Sequence, residues 1–321
     1  MPPAALTRPR VIIDCDPGHD DVLAIGLAAK HCAIVGITTV AGNSPLANTT
    51  RNALIATDLF ALDTVAVHSG ASGPLNGGPG HFAFDAHGRT GLDGPTARTP
   101  SRVAAGDDAV SFLIETVRGE EGLWLVPIGP LTNIALALRR APDLAHRVAG
   151  ISIMGGSITF GNITSAAEFN VWFDPEAAAE VFAARAPLMM CGLDLTNQVG
   201  ADGSFADAFR AHGSDTAMFC AQMMDYYQGY AARRRGVTGP AAFDVRAALH
   251  DPCAVLAITH PHLFDTRRLH VVVETAGTHT RGMTHADVRP WADPDEANVN
   301  VVVRADREGA LGVITAALCS F

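Results

Sequence analysis

Val11-Ile12-Ile13-Asp14-Cys15-Asp16-Pro17-Gly18-His19-Asp20-Asp21 sets the architecture. A short, β-branched apolar run ends in aspartates, breaks at Pro-Gly, and continues at 20–30 with helical texture. That rhythm recurs along the chain. The run 33–40 leads into 46–62, 123–127 precedes 131–140, and 150–154 precedes 175–186, with a further apolar run at 188–192. The run 65–68 instead opens into a long Gly/Pro-rich loop spanning 69–107. Continuous apolar strands alternating with amphipathic helices predict a parallel sheet covered on both faces.

Beyond about residue 200 the pattern turns helical, at 204–212 and 217–235. Strand-like runs at 269–275 and 299–304 and a helix at 308–318 close the chain. The expectation is an α/β fold: one doubly wound, mostly parallel sheet with flanking helices and a helical insertion in the C-terminal half. Residues 1–321 then form a single domain. In such sheets ligands bind beyond the carboxyl ends of the strands. The loops that start at Asp16, Gly42, Ile128, Gly155 and Asp194 are therefore where chemistry is expected.

Composition narrows the partners. The 321 residues carry a net charge of −10, which argues against nucleic acid or an anionic membrane as the main partner. No apolar run is long enough to span a bilayer, and Met1-Pro2-Pro3-Ala4-Ala5-Leu6 lacks the features of a signal peptide. The six cysteines show no metal-binding spacing, so reduced, buried thiols in a cytoplasmic protein are expected.

Asp14, Asp16, Asp20 and Asp21 repel one another unless protons or a cation neutralise them. A helix cap explains one or two of them, but not an aspartate within or just after an apolar strand. An all-oxygen set without paired Cys or His suits a hard cation, Ca²⁺ or Mg²⁺. An EF-hand fails on spacing: counted from Asp14, the fifth position is Gly18 and the twelfth Ile25. The Asp14/Asp16 pair also suggests a haloacid-dehalogenase-like phosphatase. Pro17-Gly18 stands where such enzymes carry a small residue and a hydroxyl, however, and the only lysine, Lys30, lies near the far end of the first helix.

Further motifs follow in order. They are Thr38-Thr39-Val40-Ala41-Gly42-Asn43, Gly129-Pro130-Leu131-Thr132-Asn133, Met154-Gly155-Gly156, Ala167-Glu168-Phe169-Asn170, Asp174-Pro175-Glu176-Ala177 and His250-Asp251-Pro252-Cys253-Ala254. Together with Asp14-Cys-Asp16-Pro-Gly-His-Asp20-Asp21, this ordered set resembles the inosine-uridine-type nucleoside hydrolases over about residues 11–310.

The resemblance implies hydrolysis of a ribonucleoside to ribose and free base. Asp16, Asp21, Asp251 and the backbone carbonyl of Thr132 resemble ligands of a Ca²⁺ ion. Asp16 resembles the base that activates water, Asn43 the group that orients it, and Asp20 the binder of the ribose 2′-hydroxyl. Asn162, Glu168 and Asn170 resemble the residues that grip the other sugar hydroxyls, with Met154 packed nearby. Protonating the leaving base calls for a donor of near-neutral pKa. His250, next to Asp251, is the first candidate, and His87, in the loop 69–107, the second.

Tyr226, Tyr227 and Tyr230 cluster on one expected helix, and Tyr227 and Tyr230 are candidates for base contact. The run Tyr227-Gln228-Gly229-Tyr230-Ala231-Ala232-Arg233 matches neither a purine-tolerant nor a pyrimidine-preferring pattern, so base preference stays open. A homo-oligomer, dimer or tetramer, is implied by the resemblance. A non-catalytic nucleoside-binding protein is the remaining alternative, disfavoured because Asp16, Asn43 and His250 are all present.

Overall fold

The computed structural model describes residues 8–78 and 81–321; the N-terminal stretch considered as a signal lies outside them. Strand β1 (Arg10–Cys15) leads into helix α1 (His19–His31), and β2 (Ala33–Thr39) into α2 (Leu46–Leu59). After β3 (Ala66–Ser69) the Gly/Pro-rich loop carries a single helical turn, α3 (Phe84–His87), and ends at α4 (Ala109–Gly119). Then follow β4 (Trp124–Pro127), α5 (Thr132–Arg140), β5 (Gly150–Met154), α6 (Phe169–Phe173), α7 (Pro175–Ala183), β6 (Leu188–Cys191) and α8 (Leu193–Thr196).

The insertion consists of α9 (Gly203–His212) and α10 (Asp215–Arg234), flanked by the short pair β7 (Gly200–Ala201) and β8 (Ala247–Ala248). Helix α11 (Pro252–Thr259) precedes β9 (Phe264–Leu269), β10 (Val271–Val273) and β11 (Thr284–Ala286). Strand β12 (Val299–Ala305) and α12 (Arg307–Leu318) finish the chain.

Eight strands form the main sheet in the order β3-β2-β1-β4-β5-β6-β12-β9, all parallel except the edge strand β9. Alternation along β1 shows why both faces are covered. Val11, Ile13 and Cys15 join one apolar cluster and Ile12 the other, so each face of the strand is buried under helices. Strand order reverses between β2-β1 and β4-β5, which opens a crevice at the carboxyl ends of β1 and β4.

Three local expectations change. The run expected as one strand at 269–275 splits: Leu269 ends β9, while Val271–Val273 pairs antiparallel with β11 in a separate ribbon. Strand β9 was hidden because Asp265-Thr266-Arg267-Arg268 is charged and exposed, as suits a sheet edge. Helix α4 also emerges at the end of the long loop, with Asp108 as its cap, accepting from the Ser111 amide at 2.9 Å. Helix α11 begins at the Pro252 of the His250-Asp251 motif and buries Cys253 through Ala257. All six cysteines are free, and five are buried.

Candidate active site

Asp16 leaves β1 at the crevice and is fully buried. Its Oδ2 accepts from the Asn43 amide at 2.6 Å, and its backbone carbonyl from Asn43 Nδ2 at 3.2 Å. Two loops close tightly on this carboxylate. A Cβ on Gly42 would fall 2.1 Å from Oδ2, and one on Gly129 2.5 Å from Oδ1, so each position requires glycine. Oδ1 is buried and has no hydrogen-bond partner.

Asp21 does the capping that the sequence allowed: its Oδ2 accepts from the Gly18 amide at 2.9 Å and its Oδ1 from the Asp16 amide at 3.2 Å. Asp20 faces another way, and its Oδ2 accepts from the His250 amide at 3.3 Å. Asp20, Asp21 and Asp251 each place a carboxylate oxygen within 4.8 Å of the others. This trio includes Asp20, whereas the expected ligand set has Asp16 in its place. Thr132 begins α5 alongside; its hydroxyl donates to Asp174 at 2.7 Å.

Burial pushes all these acids up. Asp20 rises to about 7, through burial and then the charge of Asp21. Asp16 and Asp251 rise well above the usual range, again through burial first and neighbouring carboxylates next. None pairs with an arginine or lysine among the described residues. Buried like charges with only oxygen donors and an orphaned Asp16 Oδ1 are what a hard divalent cation would satisfy. The residues fit such an ion.

Asp14 stands behind the floor. Its Oδ1 accepts from Thr38 at 2.6 Å and Asn133 at 2.8 Å, its Oδ2 is unpartnered, and burial raises it to about 7. Among the described residues no arginine or lysine forms an ion pair with it. Lys30 sits elsewhere, with its Nζ 3.5 Å above the Phe321 ring and donating to the Ser320 carbonyl. The one lysine is therefore not placed to serve the phosphatase alternative, which is not favoured.

Above the carboxylates opens a cavity of about 1300 Å³, lined by Asp20, Asn43, Asp251, His87 and His250. Met154, Asn162, Glu168, Asn170, Tyr227 and Tyr230 also line it, so the expected sugar and base contacts share one space. Glu168 caps α6: its two oxygens accept from the amides of Asn170, Gly156 and Val171 at 2.9, 2.9 and 3.1 Å. Asn170 Nδ2 donates to the carbonyls of Ile128 and Met154 at 3.0 and 3.2 Å. Met154 is buried against it.

The histidines depart from the near-neutral expectation. Burial pushes His250 down to about 4 and His87 well below 6.5, the latter helped by His19 and His250. Both are neutral at pH 7, so each offers an N–H rather than an imidazolium. His250 Nδ1 lies 2.7 Å from the Thr196 hydroxyl, which orients the ring.

His19, inside the first motif, belongs to the site although the motif's spacing gives it no role. Its Nδ1 is 3.0 Å from His87 Nδ1 and its Nε2 2.8 Å from the Asp93 carbonyl, so it ties the loop that carries α3 to α1. Its ring stacks on His87 and on Tyr226, each at 5.2 Å between centroids. Tyr227 lies 5.6 Å from His87. The sequence signal was the aromatic character of His19 itself; nothing in the spacing says which distant ring it meets.

Comparison with known proteins agrees with this geometry. Residues 11–311 match the family described as inosine-uridine preferring nucleoside hydrolase. The chain is 38% identical over 315 residues to the pyrimidine-specific ribonucleoside hydrolase RihA of Enterobacter sp. (strain 638), covering 97% of this chain and 98% of that protein. It is 39% identical over 317 residues to RihA of Shewanella woodyi, covering 98% of each. Among solved structures it resembles a purine-preferring ribonucleoside hydrolase from Gardnerella vaginalis. That match has a TM-score of 0.89 and 31% identity, over 97% of this chain and 98% of the other.

Proposed function

The chain belongs to the inosine-uridine preferring nucleoside hydrolase family, enzymes acting on N-glycosyl bonds, and from that premise we propose that it is a Ca²⁺-dependent ribonucleoside hydrolase. Nucleoside and water give ribose and free base. The observation that carries the metal reading is the set of buried carboxylates at the strand-order switch that pair with no arginine or lysine among the described residues, with Asp16 Oδ1 unpartnered.

Asp16, Asp21, Asp251 and the Thr132 carbonyl would hold the ion, with Asp20 close beside. When bound, the ion would orient the ribose diol and make a water more acidic. The chain's own residues do the rest. The Asn43 amide fixes Asp16 Oδ2, and the Asp16 carboxylate takes the proton of the attacking water. Asp20 binds the 2′-hydroxyl, and Glu168, Asn170 and Asn162 hold the remainder of the sugar.

Positive charge develops on the ribosyl ring in the transition state, and the excess of carboxylates over metal charge stabilises it. His250, neutral, offers its N–H as a hydrogen bond to the charge that builds on the departing base, His87 assists from the loop, and the base takes its proton from solvent once the bond is broken. Tyr227 and Tyr230 pack against the base. We take pyrimidine ribonucleosides as the preferred substrates, supported by the pyrimidine-specific relatives at 38% and 39% identity. A cytoplasmic homo-oligomer, dimer or tetramer, completes the reading. Exposed Val272, Val288 and Trp291, on and beyond the β10–β11 ribbon, offer apolar surface for subunit contact.

Ribose release from uridine, cytidine, inosine, adenosine and guanosine tests the reaction and ranks the bases. Release from uridine and cytidine ahead of the purines is expected. Faster release from inosine would overturn the pyrimidine preference, and no ribose from any of the five would overturn the hydrolase reading.

A further inference from the structure

Two walls of the pocket come from distant parts of the chain: the loop between β5 and α6, which carries Asn162, and the end of α10. A single side chain joins them. Arg234, the last residue of α10, donates Nη1 to the Tyr230 hydroxyl at 2.9 Å and Nη2 to the Asn162 carbonyl at 2.5 Å.

The Asn162 loop is otherwise folded on itself. The Asn162 amide donates to the Ala167 carbonyl at 3.1 Å, and its Oδ1 accepts from the Phe169 amide at 2.9 Å. With the carbonyl taken by Arg234, the side-chain Nδ2 is the one polar group of Asn162 without a protein partner among the described residues. Asn162 lines the cavity, so Nδ2 is available to a ligand.

Its position selects which sugar oxygen it reads. Glu168 and Asn170 are deeply buried, at 2% and 6% exposure, and largely occupied by backbone groups, whereas Asn162 is half-buried nearer the mouth. With the ribose diol on the carboxylate floor, the hydroxyl that projects away from it is the 5′-hydroxyl.

We infer that Arg234 is a positioning residue for recognition of the 5′-hydroxyl, acting through Asn162. The inference rests on the nucleoside-hydrolase reading above and extends it to a residue outside the sequence motifs. A guanidinium suits the task because its planar fork serves two acceptors at once. A lysine ammonium at the end of a flexible stem does not hold both in register. Without the brace, the loop keeps its internal turn but loses its tether to α10, and Nδ2 loses its aim.

The test compares kcat/KM for uridine and 5′-deoxyuridine in the full-length enzyme and in Arg234→Ala, Arg234→Lys, Asn162→Ala and the Arg234→Ala/Asn162→Ala double variant. The unmodified enzyme should prefer uridine by about tenfold or more, as expected for one positioned hydrogen bond. Arg234→Ala and Asn162→Ala should each bring that preference close to unity, with the double variant no lower than either. Arg234→Lys should stay nearer to Arg234→Ala than to the unmodified enzyme. Any effect through Tyr230 on the base side falls on both substrates and cancels in the ratio.

An Arg234→Ala enzyme that keeps the full preference while losing rate on both substrates would overturn the inference and leave Arg234 a structural brace. A parent enzyme that releases ribose equally from both would overturn the sugar role of Asn162 and this inference with it, while hydrolysis itself stood. No ribose from either substrate would overturn the hydrolase reading as well.

Discussion

At the floor of the pocket, Asp16 and Asp21 are five positions apart and touch directly, and Asp251, 230 positions beyond Asp21, joins them at the same strand ends. At the rim, His19 meets His87 across 68 positions and Arg234 meets Asn162 across 72. The floor is made where parallel strands end, so the fold delivers its carboxylates to one place with little freedom. The rim is assembled from a loop, an insertion helix and a second loop, each held by a few side-chain contacts. Chemistry that tolerates no misplacement belongs on the floor, and selectivity for the leaving base and the 5′ end belongs on the rim.

If that division is right, floor changes should cost more than rim changes. The largest effect is expected for Asp16→Ala, which removes the proposed base. Ribose release from uridine should fall about 10²–10⁴-fold with the circular dichroism spectrum unchanged. A variant that keeps more than a tenth of the activity would break the assignment.

Removing the floor's partner on the substrate should come next. Asp20 and the metal site are both proposed to address the 2′-hydroxyl, so 2′-deoxyuridine should react at least about a hundredfold more slowly than uridine. Equal kcat/KM on the two would detach Asp20 from the sugar.

His250→Ala sharpens the contrast from the rim. It should cost about a hundredfold on uridine but under about tenfold on p-nitrophenyl riboside, whose leaving group is stable as an anion without that hydrogen bond. Equal losses on both would make His250 a positioning group.

The smallest effect is thermodynamic. Burial holds Asp14 and Asp20 at about 7 in the folded chain, against about 3.9 for a free aspartate. Between those values the folded chain binds more protons than the unfolded one, so these groups lower stability as pH rises. His19 and His250, held down to about 4, act in the opposite sense, but only below about pH 6.5, where a free histidine begins to take up its proton. Metal-stripped protein should therefore lose melting temperature from about pH 6.5 to 7.5, where the histidines no longer oppose and the two carboxyls give up their last protons, and added Ca²⁺ should flatten that slope. A slope that Ca²⁺ leaves unchanged would mean the floor does not bind it.

How much of this the sequence showed follows the same division. The parallel sheet was legible because β1, β5 and β6 are apolar runs with few alternatives. The acids stood out because aspartates at the end of an apolar strand have no structural excuse. Strand β9 was not legible, since its charged residues face solvent at the sheet edge. Nor was the depressed pKa of His250, which depends on how deeply a ring is buried rather than on its neighbours in sequence. Arg234 at the end of α10 reads from sequence as a favourable charge on a helix C-terminus. Only the three-dimensional contact with Asn162 suggests the positioning role proposed for it.

The most direct test of the account is calorimetric titration of Ca²⁺ into chelator-stripped enzyme, with ribose release from uridine followed on the same samples. The account predicts binding of a single ion per chain, with activity absent at the start and restored in proportion to occupancy. Full activity in enzyme shown by elemental analysis to be free of divalent metal would contradict it.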